Sequence, residues 1–296
     1  MTGKPGTLTE IIRPANMTDF IHALQTFPLL RYALLAGIFS SVAFGVVGSF
    51  VVTRRIGYIA AAIAHSILGG IGASIYFSRT YDLNWLTPMV GALVSALAAA
   101  LIIGLISLRN KEREDTIIGA IWAIGMATGL LFMHYAPGPG VNLESFIFGN
   151  ILLTSLSDVY ATAVLSIAVV GITIMFYPKL LAVCFDEEFS RLRGIKSGIY
   201  FLLLLCLLAV SIVLLVRLTG IILAIALIVL PAATASKMAQ RLWKIMVIAV
   251  VISLFCTVSG LIVSYVGETP TGPVIVLIAA VGYSLIQVWQ RCFSRS

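Results

Sequence analysis

The chain has 296 residues, of which 60% are apolar and 10% charged, and a formal net charge of +7. Soluble domains average about 45–50% apolar and roughly 25% charged residues, so a soluble fold with a solvated surface is excluded and an integral membrane protein is expected. The positive balance does not point to nucleic acid, because the basic residues sit in short segments between apolar runs, where they orient the chain in a membrane.

The first ten residues hold no apolar stretch after Lys4, so no cleaved signal peptide is expected there. Residues 1–29 form an outer interfacial segment in this reading. Within it, Asn16 to Phe27 is a predicted short amphipathic helix, with Asn16, Thr18 and Asp19 as N-cap candidates and Phe20, Leu24 and Phe27 on one face. Pro28 turns the chain into the membrane. Spans need about 20 apolar residues. Helical spans are predicted at about 30–52, 56–77, 87–108, 116–135, 156–177, 199–216, 218–236, 243–266 and 271–290. Strand-like alternation is absent over these lengths, which disfavours a barrel. The fold class is therefore all-α, a single polytopic domain over 1–296 with 8–9 transmembrane helices.

Between the fourth and fifth spans lies a long segment, from Ala136 to Ser157. It opens on the turn cluster "APGPG" and continues as "LESFIFGNILL", too short to span and suited to a re-entrant or interfacial helix. Placing the N-terminus outside and the C-terminus in the cytoplasm leaves fourteen lysines and arginines inside against five outside, and the opposite orientation inverts the ratio. Cys184, Cys206, Cys256 and Cys292 form no CxxC pair, so neither a disulfide framework nor a zinc knuckle follows.

The inside segment 178–198 is the longest soluble-looking one on that side. Its middle reads as a short surface helix, with Asp186, Glu187 and Glu188 at the start and Arg191 and Arg193 near the end, an order that complements the helix dipole. Phe185, Phe189 and Leu192 make an apolar face, and Gly194 ends the helix. Such a helix either packs on its own protein or docks a cytoplasmic partner, with Phe189 as a knob in a groove.

At this loop the sequence resembles the permease subunit of the ATP-binding-cassette importers for zinc, manganese or iron. "FDEEFSRLRG" is similar to that family's coupling segment, and "VVTRRIGYIAAAIAHSILGG" to its double basic pair and following histidine helix. "FIFGNIL" resembles its outer-loop motif, and "TGIILAIALIVLPAATASKMAQR" and "ETPTGPVIVL" its two late motifs. The resemblance implies a fold of the vitamin B12 importer-type permease class. It also implies a non-catalytic subunit that pairs with a second permease, the same or a different chain. Two cytoplasmic ATPase subunits would sit below and an extracytoplasmic metal-binding protein outside. The chain itself has no G-x-x-x-x-G-K-[ST] loop to cradle ATP phosphates. No permanently bound cofactor is implied; the divalent metal ion, Zn, Mn or Fe, is cargo.

His65 is the candidate metal ligand. Ionisable residues inside membranes are usually functional, and a neutral imidazole keeps a lone pair for a divalent cation; the plainer reading is a packed, hydrogen-bonded histidine. The family usually has an aspartate four residues earlier, where this chain has Ala61. Either an unlike partner permease supplies the missing oxygen, or this subunit contributes little to coordination. His134 and Glu144 are candidates for outer metal entry, and Pro231 for a gating kink. Two rival functions remain at this stage: a permease for a metal chelate such as a siderophore, which would need a wide path, and a secondary transporter driven by an ion gradient, which would show inverted repeats. A membrane-embedded enzyme would need converging catalytic groups, which a lone intramembrane histidine does not offer.

Overall fold

The structure, a computed structural model, describes residues 22, 24–109, 114–139, 154–185, 194 and 196–293. Among the described residues the chain is helical without strands. The elements are α1 (Pro28–Arg54), α2 (Gly57–Tyr81), α3 (Pro88–Arg109), α4 (Glu114–Tyr135), α5 (Leu156–Met175), α6 (Tyr177–Phe185), α7 (Ser197–Met238), α8 (Leu242–Val266) and α9 (Thr271–Phe293). Among the described residues, eight stretches are long and apolar enough to cross a membrane, and Leu223–Met238 adds a shorter apolar helix. All but α6 traverse the bundle. The predicted interfacial helix lies mostly outside the described residues; His22 and Leu24–Thr26 are helical, and Arg31 donates to the carbonyls of Leu24 and Gln25.

Glycines set the pairing of the helices, because without lipid-water contrast to drive association, helices in membranes gain by close backbone approach. On α2 and α3, Gly70 and Gly91 each face the other's carbonyl oxygen so closely that neither has room for a Cβ. Ser74 also abuts Gly91, and Ser95 abuts Gly70, so these helices run antiparallel. On α2 and α4, a methyl added at Gly125 would stand 2.6 Å from Ser66 Cα, and Gly72 meets the carbonyl of Gly129. The numbers rise together, so α2 and α4 run parallel, with α2 between α3 and α4. Elsewhere, Gly37 faces Thr257 and Gly45 faces Val250, which makes α1 and α8 antiparallel. Ser41 and Thr257 share a 3.1 Å hydroxyl contact at that seam.

Several buried hydroxyls are satisfied within their own helix. Ser40 donates to Ala36, Ser49 to Gly45 and Thr173 to Val169, each four residues back along its own helix. At the start of α5, Ser155 and Asp158 form a capping box, the Ser155 hydroxyl accepting from the Asp158 N–H and the Asp158 carboxylate from the Ser155 N–H.

The 42 residues of α7 would span about 63 Å if straight, twice a hydrocarbon core of about 30 Å. Gly220 resolves the excess. Its φ of 81° and ψ of 171° are non-helical, and there the chain turns back. Gly198, at the start of α7, abuts Leu108 at the end of α3. At the far end of α7, the Lys237 carbonyl accepts from the side chain of Gln290 near the end of α9. Leu108 and Gln290 lie at the same end of the bundle as Arg54, so both limbs of α7 start and finish there. The two predicted spans 199–216 and 218–236 are these limbs. Pro231 is buried within the second limb and keeps the helix, so the backbone break falls at Gly220 rather than at the proline.

Candidate functional site

His65 is eight residues past the start of α2, and Trp122 is eight residues past the start of α4. At 1.5 Å per residue both lie about 12 Å along their parallel helices. The two rings stack, with centroids 4.3 Å apart and planes inclined by 9°. Beyond the stack, Ser66 meets Gly125 and Gly69 meets Gly125 and Thr128. These backbone contacts hold the two helices in the register that brings the rings together.

His65 is half-buried on a stripe of α2 with Ala61, Gly69 and Ala73, while Ala62, Ala64, Ser66 and Leu68 face the packed interior. A carboxylate at position 61 would share this stripe, one turn from the imidazole; the alanine there offers no donor. Among the described residues no three His, Cys, Asp or Glu side chains come together in a way that could hold a metal ion. The Trp122 Nε1–H donates to the sulfur of its own helix neighbour Met126 at 3.1 Å.

His134 is twelve residues further along α4 than Trp122, about 18 Å. It is exposed and packs edge-on against Tyr135, at 5.1 Å, and the structure does not bring it to His65. Beside it Arg79 closes the "APGPG" turn by donating to the carbonyls of Pro137 and Pro139 at 3.1 and 2.9 Å. Glu144 lies outside the described residues.

Of the predicted docking segment, Phe185 is the last residue of α6 and is 63% exposed. Gly194 has a φ of +76°, the left-handed conformation suited to ending a helix. Asp186, Glu187, Glu188, Phe189, Arg191 and Arg193 lie outside the described residues. The structure does show how α6, which leads into that segment, is anchored. Arg54 donates to the carbonyl of Val183 and places its guanidinium 4.4 Å from the ring centroid of Phe201 on α7. At the other end of α6, Tyr177 meets Phe50 edge-on, 6.5 Å between centroids. Burial pushes the Cys184 thiol up to about 12, with the charge of Arg54 acting in the opposite, lowering direction.

Trp122 was not singled out by the sequence. One signal was present: Trp85, Trp243 and Trp289 lie near helix ends, as interfacial tryptophans do, whereas Trp122 sits two turns inside a span.

The described geometry is that of a known permease architecture. The chain is 30% identical to PsaBC from Streptococcus pneumoniae, solved in complex with Fab, over 92% of this chain and 95% of that one, with a TM-score of 0.81. It is 39% identical over 262 residues to a membrane protein of Chlamydia pneumoniae named for a metal transport system, covering 88% of this chain and 89% of the relative. It is 29% identical over 271 residues to the manganese transport system membrane protein MntC of Halalkalibacterium halodurans, covering 92% and 90%. A family model described as the ABC 3 transport family matches residues 26–290, nearly the whole bundle, and this chain belongs to that family.

Proposed function

We infer that the chain is the membrane-spanning permease subunit of an ATP-driven importer for a divalent transition metal, with manganese the first cargo to test. The observation that carries this reading is the agreement with PsaBC along almost the full length of both chains, supported by relatives named for manganese transport. The half-buried imidazole of His65 supports a path beside α2 and α4. The N-terminus lies outside and the C-terminus in the cytoplasm of the cell membrane, so that the Arg54 end faces the ATPases. Those ATPases engage the Asp186–Gly194 segment, and their binding and hydrolysis of ATP expose the path alternately to each side. An outer binding protein delivers the metal, with His134 and Glu144 near its entry. A second permease subunit completes the path and, if it differs from this chain, supplies the carboxylate that Ala61 lacks. The subunit itself performs no covalent chemistry.

Uptake of radioactive manganese into proteoliposomes holding the whole importer tests the reading. His65→Ala should lower uptake at least tenfold while the protein stays in the membrane; undiminished uptake removes His65 from the path. Reversing the charges of Glu187 and Glu188 should release the ATPases in a pull-down. Cysteines at Lys111 and Gly138 should label from the inside and the outside respectively, and the reverse pattern overturns the orientation.

A further inference from the structure

We propose that Trp122 is the positioning residue for His65. Its indole holds the imidazole plane so that a metal ion reaches the ring only along its edge. This deepens the reading of His65 as a metal-contacting residue and rests on it.

Three features of the structure carry the assignment. The rings are nearly parallel, at 9°, with centroids 4.3 Å apart. A nitrogen ligand binds metal along its lone pair, in the plane of the ring, and a partner stacked above that plane leaves this direction open. The indole is itself held by its Nε1–H, donated to the sulfur of Met126 on the same helix. The helices on which the rings ride are locked where Ser66 meets Gly125 and Gly72 meets Gly129, so neither ring is freed by a sliding of its backbone.

The chemistry gives the stack a task. A metal-bound imidazole is normally oriented by a hydrogen bond from its second nitrogen to a carboxylate or carbonyl. One turn back, where a carboxylate would share the stripe, stands Ala61. Stacking on Trp122 takes over that restraint. It also favours the loaded state: an imidazole that has donated to a cation is electron-poor, and the indole face, the most electron-rich of the aromatic side chains, attracts positive charge. The same indole, 39% exposed, covers a side of the imidazole that would otherwise be open.

The test uses the whole importer in proteoliposomes and three variants: Trp122→Leu, Trp122→Phe and His65→Gln. Trp122→Leu is expected to raise the manganese concentration for half-maximal uptake about tenfold, and Trp122→Phe, which keeps a ring to stack, no more than threefold. In parallel, Trp85, Trp243 and Trp289 are changed to Phe so that emission reports Trp122 alone. Titration with manganese chloride should quench that emission saturably, and His65→Gln should abolish the quenching. Unchanged half-saturation in Trp122→Leu, with uptake lost in His65→Gln, overturns the role of Trp122 and leaves that of His65 standing. Unchanged uptake in His65→Gln overturns the underlying reading instead. If Trp122→Leu does not reach the membrane, Trp122→Phe and the titration decide, and an emission that does not respond to manganese overturns the proposal.

Discussion

The guanidinium of Arg54 lies 4.4 Å from the ring centroid of Phe201 while it donates to the carbonyl of Val183. One side chain at the end of α1 thereby holds α6 and the start of α7 together. Arg54 also adjoins the turn into α2, whose backbone continues to His65. Movement of α6 is therefore felt at the root of the helix that carries the candidate ligand.

Arg54→Ala should loosen α6, because it removes a charge-assisted hydrogen bond of about 1.5–3 kcal/mol and the contact with Phe201. Cys184 reports the change. Its thiol is pushed up to about 12, chiefly by burial, so maleimide labelling at pH 8 proceeds through a thiolate fraction of roughly one in ten thousand. Labelling should rise about tenfold per pH unit until that value is reached. Removing Arg54 takes away a charge that favours the thiolate, but it also relieves burial, the larger effect, so labelling of Cys184 should accelerate at least fivefold. Labelling of the exposed Cys292 should not change, and a slower or equal rate at Cys184 refutes the clasp.

Gly220→Ala should destabilise the fold by about 1–3 kcal/mol, because a φ of 81° with a ψ of 171° is a region essentially confined to glycine. Pro231→Ala, in the limb that follows, should be neutral or stabilising, since it restores an N–H for the Leu227 carbonyl without changing the path of the chain. Thermal melts of the detergent-purified chain separate the two, and equal melting temperatures would place the turn elsewhere.

Gly70→Val should prevent the bundle from assembling, because the new side chain would enter the backbone of Gly91 and the side chain of Ser95. Overpacking a relaxed core costs about 1–3 kcal/mol, and a backbone carbonyl gives way less than a side chain. Gly119→Ala is the control: nothing lies within 4 Å of a Cβ at that site, so the change should stay within about 0.5 kcal/mol. Recovery of monodisperse protein by size-exclusion chromatography reads both.

Ala61→Asp should restore an oxygen donor on the stripe that carries His65, since positions four apart share a helix face. Manganese binding to the purified full-length chain should tighten at least fivefold, with slower release during transport. Binding equal to that of the unaltered chain would mean that position 61 does not face the ion.

The spans were legible because a helix must satisfy its own backbone in lipid, which makes apolar length a reliable ruler. Even the two limbs of α7 were readable as separate spans around Arg217, although the residue that turns the chain, Gly220, is one of many glycines and carries no distinctive local signal. His65 was legible because a titratable ring in an apolar run is conspicuous. Trp122 was not, since its role depends on α2 and α4 running parallel at matched depth, and that pairing is written in glycines fifty or more residues apart. The clasp of Arg54 on Val183 and Phe201 is not legible either, because it needs the folded positions of α6 and α7.

The glycine contacts that join α2 to α3 on one side and to α4 on the other have a mechanical corollary. Shear along either seam drives carbonyl oxygens into neighbouring chain atoms at positions where no flexible side chain is available to fold aside. The three helices must then swing as a single leaf, carrying His65 and Trp122 with it as fixed passengers. Whatever opens and shuts around them has to yield at the leaf's margins, such as the corner at Arg55 or the reversal at Gly220, while the His65 ring keeps its pose.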